Sequence, residues 1–176
     1  MTTLQQLGLG GGCHWCTEAV FQSLAGVHRV QQGFIASDAP NDSFSEAVLV
    51  DWDAQRLPLD ALIEVHLRTH ASASRHKMRG KYRSAIYAMD AAQAEACVAA
   101  LDRLQPGFDA PLITQVLPFR AFQASDARFR NYYATDPDRP FCRTYIEPKL
   151  AMLRRRFGTN SVTPSASSAD ETARAG

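Results

Sequence analysis

The segment Gly10-Gly11-Gly12-Cys13-His14-Trp15-Cys16 concentrates the groups best suited to chemistry. A glycine run lets backbone approach a ligand closely and aim its amides inward. A cysteine placed where a helix begins feels the positive end of the helix dipole, which favours thiolate over thiol. Cys16 follows three residues later, so on a first helical turn the two side chains are neighbours, within reach of a disulfide after modest adjustment. The pattern reads as a redox pair. A zinc site would need about four ligands, and the other cysteines, Cys97 and Cys142, form no second Cys-x-x-Cys. A thioredoxin-type oxidoreductase would fit the Cys-x-x-Cys but not the glycine-rich approach. Two small buried residues is the plainest alternative.

Regular elements must hold this segment in place. Residues 4–9 read as a short strand broken by the glycines, and Cys13 to Leu24 carries apolar residues at helical spacing up to Gly26. Val30–Ala36 and Ala47–Trp52 read as strands, the second apolar enough to be central. Pro58 opens a helix to His70, and Asp90 caps one over Ala91–Leu104. Tyr82–Met89 and Leu112–Leu117 read as strands, Ser125–Tyr133 as a short helix, and Pro148–Phe157 as a closing helix. Strands and helices alternate irregularly, which predicts a two-layer α+β or α/β arrangement.

The whole chain of 176 residues is the length of one domain, with 45% apolar residues to build a core. We expect a single catalytic domain over 1–158. Residues 159–176 hold one valine and no larger aliphatic or aromatic side chain, so they are expected to be a disordered tail. A net charge of +1 leaves no basic footprint for nucleic acid. No apolar run approaches the roughly 18–20 residues that span a bilayer, and no secretory signal opens the chain. A cytoplasmic protein with reduced thiols is expected, since four cysteines are too few for a disulfide scaffold.

Gly-Gly-Gly-Cys-His-Trp-Cys-Thr-Glu-Ala-Val-Phe at 10–21 resembles the opening signature of the type A peptide methionine sulfoxide reductases, Gly-Cys-Phe-Trp, then Gly or Cys, then Glu-Ala-Val-Phe. Gly26-Val27 with Gly33-Phe34, Ser45-Glu46-Ala-Val-Leu-Val50, Tyr82-Arg-Ser-Ala-Ile-Tyr87, and Pro140-Phe-Cys142 with Ile146-Glu-Pro-Lys-Leu150 resemble later family motifs in the same order. The resemblance covers about residues 5–157. It implies an α+β two-layer sandwich, a central mixed sheet flanked by helices around a ferredoxin-like core. It also implies thiol-dependent reduction of methionine S-sulfoxide, free or in peptides.

Under that resemblance Cys13 attacks the sulfoxide sulfur. Glu46 gives the proton to oxygen, an acid role that asks for apolar surroundings such as Ala47–Val50. Taken alone, Glu46 reads as a solvated strand-edge carboxylate. Tyr82 is implied as a hydrogen-bond donor to the sulfoxide oxygen and Trp15 as a wall for the substrate methyl group. The resulting Cys13 sulfenic acid is resolved by Cys16 or by Cys142, the latter expected in a mobile loop. Cys97 reads as packing. An external dithiol such as thioredoxin closes the cycle, with no metal or organic cofactor and with the chain acting as a monomer.

Several residues depart from the family pattern. His14 replaces a Phe beside the nucleophile, read either as a cation that favours thiolate or as a polar residue at the pocket rim. Phe34 replaces a Tyr and removes a hydroxyl from the substrate pocket. The loop Ser72–Lys81 lacks the family's substrate-contacting Asp and carries Arg75, Lys77, Arg79 and Lys81, read either as a pocket for acidic or small substrates or as a solvated basic loop. Phe129-Arg130 stands where the family often has His-Gln. Two other functions remain open: a general disulfide oxidoreductase using Cys13 and Cys16, and a low-turnover sulfoxide-binding or redox-sensing module.

Overall fold

The computed structural model describes residues 3–75 and 77–157, without the side chains of Lys77 and Met78. The expected disordered tail, 159–176, lies outside the described residues. The strands are β1 (Leu4–Gly10), β2 (Val27–Ala36), β3 (Ser45–Asp53), β4 (Ala85–Ala88), β5 (Gln115–Pro118) and β6 (Ala121–Ala124), and the helices are α1 (His14–Gln22), α2 (Leu59–Thr69), α3 (Ala91–Leu104), α4 (Tyr132–Thr135) and α5 (Glu147–Phe157). They build one six-stranded sheet in the order β5-β4-β1-β3-β2-β6. Only β4 and β5 run parallel, and α3 forms the crossover that a parallel pair requires. The sheet is mixed, as expected.

β3 is buried at all but one position, which its apolar run demands of a strand paired on both sides. Its register sets Val50 opposite Leu7 of β1 and Val30 of β2. One sheet face carries Leu7, Leu9, Val48, Val50, Trp52 and Ile86 into a core with residues of α1, α2, α3 and α5. The other carries Ile35, Ala47, Leu49, Ala85 and Tyr87, covered only by partly buried groups such as Phe119 and Phe122. The helices therefore form one layer on one face.

The departures from expectation have local causes. β4 starts at Ala85 rather than Tyr82, because the Arg83 amide donates to Ser45 Oγ at 2.8 Å in place of a ladder partner. β5 starts at Gln115 because the amides of Leu112 and Ile113 donate to Gln105 Oε1 and to the Ser72 carbonyl. The helix expected over 125–133 is divided into a 3-10 turn, Ala127–Phe129, and α4. Asn131 between them is left-handed, with φ 54°. The buried Glu18 carboxylate accepts the Asn131 and Tyr132 amides at 3.1 and 3.2 Å and fixes this break from across the chain. β6, without a sequence signal, pairs with β2 through Gly33 opposite Ala124. A β-carbon on Gly33 would stand 2.2 Å from the Gln123 carbonyl oxygen, so only glycine allows that approach.

Candidate active site

The glycine turn brings Cys13 to the N-terminus of α1 past the side chain of His70. A β-carbon on Gly11 would lie 2.4 Å from that ring. From α2, His66 Nε2 donates to the Gly10 carbonyl at 2.8 Å, and the His66 and His70 rings lie against each other, tilted by 33° with centroids 4.3 Å apart. Burial pushes the His66 pKa down to about 4, so the imidazole holds the turn as a neutral donor. Cys13 is the N-cap residue of α1, with no ordinary side-chain cap bond.

The Cys13 thiol is lowered below its usual range, chiefly by the hydrogen bond from the Cys16 thiol, with further help from the Trp15 and Cys16 amides; burial and the Glu46 carboxylate oppose this. Cys16 is raised in turn by Cys13 and by burial. The two sulfurs thus divide the work by protonation, Cys13 ionising first and Cys16 keeping its proton. His14 is not among the groups acting on Cys13. Its amide donates to Glu46 Oε2 at 3.1 Å, its Nδ1 meets the Gly33 carbonyl at 2.9 Å, and its Nε2 lies 4.0 Å from Glu46 Oε2. The imidazole faces the acid, not the thiol as the sequence suggested.

Glu46 is 8% exposed at the start of β3, opposite Phe34 on β2. The sequence pointed to an apolar pocket here. The structure instead gives the carboxylate the His14 amide as a hydrogen-bond donor and the Lys81 ammonium as a charge partner, with Nζ 3.8 Å from Oε1. Val48 and Val50, two of the apolar neighbours in sequence, point into the helix-side core. Lys81 also lies over the half-buried Tyr82 ring, 5.0 Å from its centroid, and its ammonium is raised by the Tyr82 hydroxyl and by the charges of Glu46 and Cys13. Tyr82, Glu46 and Cys13 therefore meet around one ammonium.

Trp15 stacks on Tyr132 at 4.1 Å with 6° between the planes, and Phe141 and Phe129 close on it at 5.5 and 6.0 Å. Beside it opens a cavity of about 320 Å³ lined by His14, Trp15, Phe34, Gln123, Asp126 and Phe129, among others. Tyr132 and Gln123 carry no earlier expectation, and Phe141 was met only within the Pro140-Phe-Cys142 motif. The signal for Tyr132 and Phe141 was the density of aromatic side chains between 129 and 145; Gln123 had none.

Cys142 differs from the expected mobile loop residue. It is fully buried, begins a π-helical turn (Cys142–Ile146) that runs into α5, and points its sulfur at the Asp136 carbonyl 3.6 Å away. Burial raises its thiol, and its charge acts on Cys16, not on Cys13. The structure thus places Cys13, Cys16 and Cys142 in sequence from surface to interior. Cys97 is fully buried in α3, its thiol pushed up to about 11. Among the described residues no three His, Cys, Asp or Glu side chains converge as a metal-holding group, and no helix is long and apolar enough to cross a membrane.

A family model described as peptide methionine sulfoxide reductase matches residues 5–161. Proteins named peptide methionine sulfoxide reductase MsrA from Chromobacterium violaceum and Thermus thermophilus are 34% and 32% identical to this chain; each alignment covers 85% of this chain, and 94% and 93% of the relatives. The like-named protein from Halobacterium salinarum is 30% identical, over 87% of this chain and 96% of its own length. Among solved structures, methionine sulfoxide reductase A of Corynebacterium diphtheriae superposes with a TM-score of 0.66 at 21% identity, over 76% of each chain. Mxr1 from Saccharomyces cerevisiae in reduced form gives 0.66 at 20% identity, over 81% of this chain and 91% of that one. Mxr1 in complex with Trx2 gives 0.57 at 18% identity, over 73% and 84%. These structures share the fold, and the sequence matches, running nearly end to end, carry the assignment: this chain belongs to the peptide methionine sulfoxide reductase family.

Proposed function

We propose that the chain reduces methionine S-sulfoxide, free or within a polypeptide, to methionine, with Cys13 as nucleophile and an external dithiol as electron source. The observation that carries this reading is the Cys13 thiol, lowered by the Cys16 thiol at the head of α1 and within the field of the Glu46 carboxylate, directly ahead in the chain of His14 and Trp15, which wall an aromatic cavity. A cavity of about 320 Å³ suits a single side chain, at the small end of the roughly 300–1,000 Å³ typical of ligand pockets. Trp15 and Phe34 offer faces to the methyl group, and polarised sulfur makes favourable contact with aromatic rings.

The Cys13 thiolate attacks the sulfoxide sulfur while a proton passes from Glu46 to the sulfoxide oxygen, to which Tyr82 is hydrogen-bonded. The oxygen passes to Cys13 as a sulfenic acid and methionine leaves with the sulfur electron pair, a two-electron reduction. The Cys16 thiol then displaces the sulfenic hydroxyl as water and forms the Cys13–Cys16 disulfide. The Cys142 thiolate then attacks the Cys16 sulfur, releasing the Cys13 thiolate and forming a Cys16–Cys142 disulfide, which an external dithiol of the thioredoxin kind reduces while becoming a disulfide itself. No metal or organic cofactor enters this sequence.

Incubation of the reduced protein with methionine S-sulfoxide tests the proposal. One equivalent of methionine with loss of two thiols is expected, and dithiol should make the reaction catalytic. Absence of methionine would refute it and leave the disulfide-oxidoreductase reading, which needs no Glu46.

A further inference from the structure

A second cavity, of about 540 Å³, lies behind the segment that carries Lys81 and Tyr82, and its walls include Asn41, Ser43, Arg75, Arg79, Arg83 and Gln115. Every charged group lining it is a guanidinium. Arg83 is 7% exposed, and its donors reach only neutral oxygens: Nη1 to Tyr87 Oη at 3.1 Å, and Nη2 to the Ser43 carbonyl and Oγ at 2.9 Å. Arg79 donates to the carbonyls of Ser74, Gly11, Tyr82 and Ala71. Arg75 is exposed at the rim. Among the described residues no carboxylate stands within ion-pair distance of any of the three.

Burying a cation without a counter-charge is costly, and arginine cannot escape by shedding its proton. Carbonyl and hydroxyl acceptors relieve part of that cost, and Arg83 Nε, with no acceptor among the described residues, is not sealed from solvent and so is free to meet one. A planar oxyanion matches a guanidinium edge. We infer that this cavity is an oxyanion site, taking a carboxylate or phosphate group against Arg83 and Arg75, with Ser43, Asn41 and Gln115 as neutral partners. The basic loop noted in the sequence is therefore more than a solvated surface.

The site adjoins the reaction centre through one stretch of chain. Arg79, Gly80 and Arg83 wall the cavity, while Lys81 between them pairs with Glu46 at 3.8 Å and lies over the Tyr82 ring, and Arg79 also holds the Gly11 carbonyl at 2.9 Å. An oxyanion can reach it free in solution or as an acidic side chain near a methionine sulfoxide. The second source rests on the reductase reading; the binding itself does not.

Titration of the reduced protein with inorganic phosphate, against sodium chloride at matched ionic strength, tests the site directly. Saturable heat release and a phosphate-specific rise in Tm are expected. Arg75→Ser, a change at an exposed side chain, should weaken phosphate roughly tenfold, the loss of one charge-assisted contact; Arg83→Lys should weaken it as well. Equal responses to phosphate and chloride, or unchanged affinity in both variants, would overturn the site. A second arm compares two methionine sulfoxide peptides that differ only by Glu or Gln beside the sulfoxide. A lower KM for the Glu peptide, raised by phosphate, supports the substrate side chain as occupant. Equal KM values with phosphate still bound support a free oxyanion. If neither peptide is turned over while phosphate binds, the reductase reading fails and the oxyanion site stands.

Discussion

Replacing Cys16 by alanine and by serine separates two duties that one thiol performs. The Cys16 hydrogen bond is the largest influence holding the Cys13 thiol down. Hydrogen bonds to charged groups are worth about 1.5–3 kcal/mol, and a thiol is a weak donor, so the lower figure applies. Cys16→Ala should therefore raise the Cys13 thiol, and about 1.4 kcal/mol of lost thiolate stabilisation is a factor of about ten in its ionisation. Below the midpoint the thiolate fraction then falls about tenfold, while the more basic thiolate becomes about threefold more nucleophilic, for a Brønsted coefficient of about 0.4–0.5. The net loss is about threefold. Above the midpoint the sign reverses, and the alanine variant should be alkylated about threefold faster. Cys16→Ser keeps a donor and should follow the wild-type curve, yet it has no thiol to resolve the sulfenic acid. The assay is iodoacetamide labelling against pH, read by mass spectrometry on the Cys13 peptide, so that buried Cys97 and Cys142 do not contribute. An alanine curve that superposes on the wild type without crossing it would refute the electrostatic account of Cys13.

Glu46→Gln should cut methionine formation by about 10²–10⁴, the usual range for a lost proton donor. It should also leave Cys13 alkylation at least as fast below neutrality, because the Glu46 charge raises the Cys13 thiol; slower alkylation would argue against that contact. Gly33→Ala forces a β-carbon against the Gln123 carbonyl, so unfolding scans should show a loss of about 1–3 kcal/mol and sulfoxide KM should rise as the β6 wall shifts. An unchanged Tm would contradict the close packing of β2 on β6. The depressed His66 makes stability pH-dependent. The unfolded imidazole gains its proton near the ordinary value of 6.5 and the folded one only near about 4. Stability should therefore be full above about 6.5 and decline by roughly 3 kcal/mol toward pH 4. Denaturant titrations of His66→Phe should show a shallower acid limb, with His70, also lowered by burial, supplying what remains.

The parts of the fold legible in the sequence were those whose signal is local. α3 lies over the predicted Ala91–Leu104, because Asp90 accepts the Gln93 amide at 2.7 Å and fixes the first turn from its own side chain. β3 was legible because a central strand is apolar on both faces. β6 was not, since Ala-Phe-Gln-Ala has no alternation and gains its place from the cleft that Gly33 leaves in β2. The helix predicted over 125–133 fails for a related reason. Its local pattern is helical, but Glu18, more than a hundred residues away, claims the Asn131 and Tyr132 amides and turns the chain there.

The site divides along the same line. Cys13, Cys16, His14 and Trp15 lie within one turn and were visible as a cluster, whereas Tyr132 reaches Trp15 only because Glu18 and Gln22 hold Asn131 in place. Cys142 shows most clearly what spacing cannot tell. As a loop residue it would compete with Cys16 for the sulfenic acid on equal terms. Fully buried, with its sulfur directed at the Asp136 carbonyl and its charge acting on Cys16, it stands second in line. Cys16 already touches the Cys13 sulfur, so the first disulfide needs little movement. The second requires the Cys142 thiol to leave its carbonyl and lose a proton that burial retains, with Arg139 the nearby charge that favours its release. The π-helical turn at Cys142–Ile146 is the natural place for that opening, because its wide ring gives a looser hydrogen-bond register than the α5 turns it joins. The thiol relay in the proposed mechanism thus acquires its order from burial: fast transfer from Cys13 to Cys16, then a slower step that uncovers Cys142 and passes the disulfide to the external dithiol.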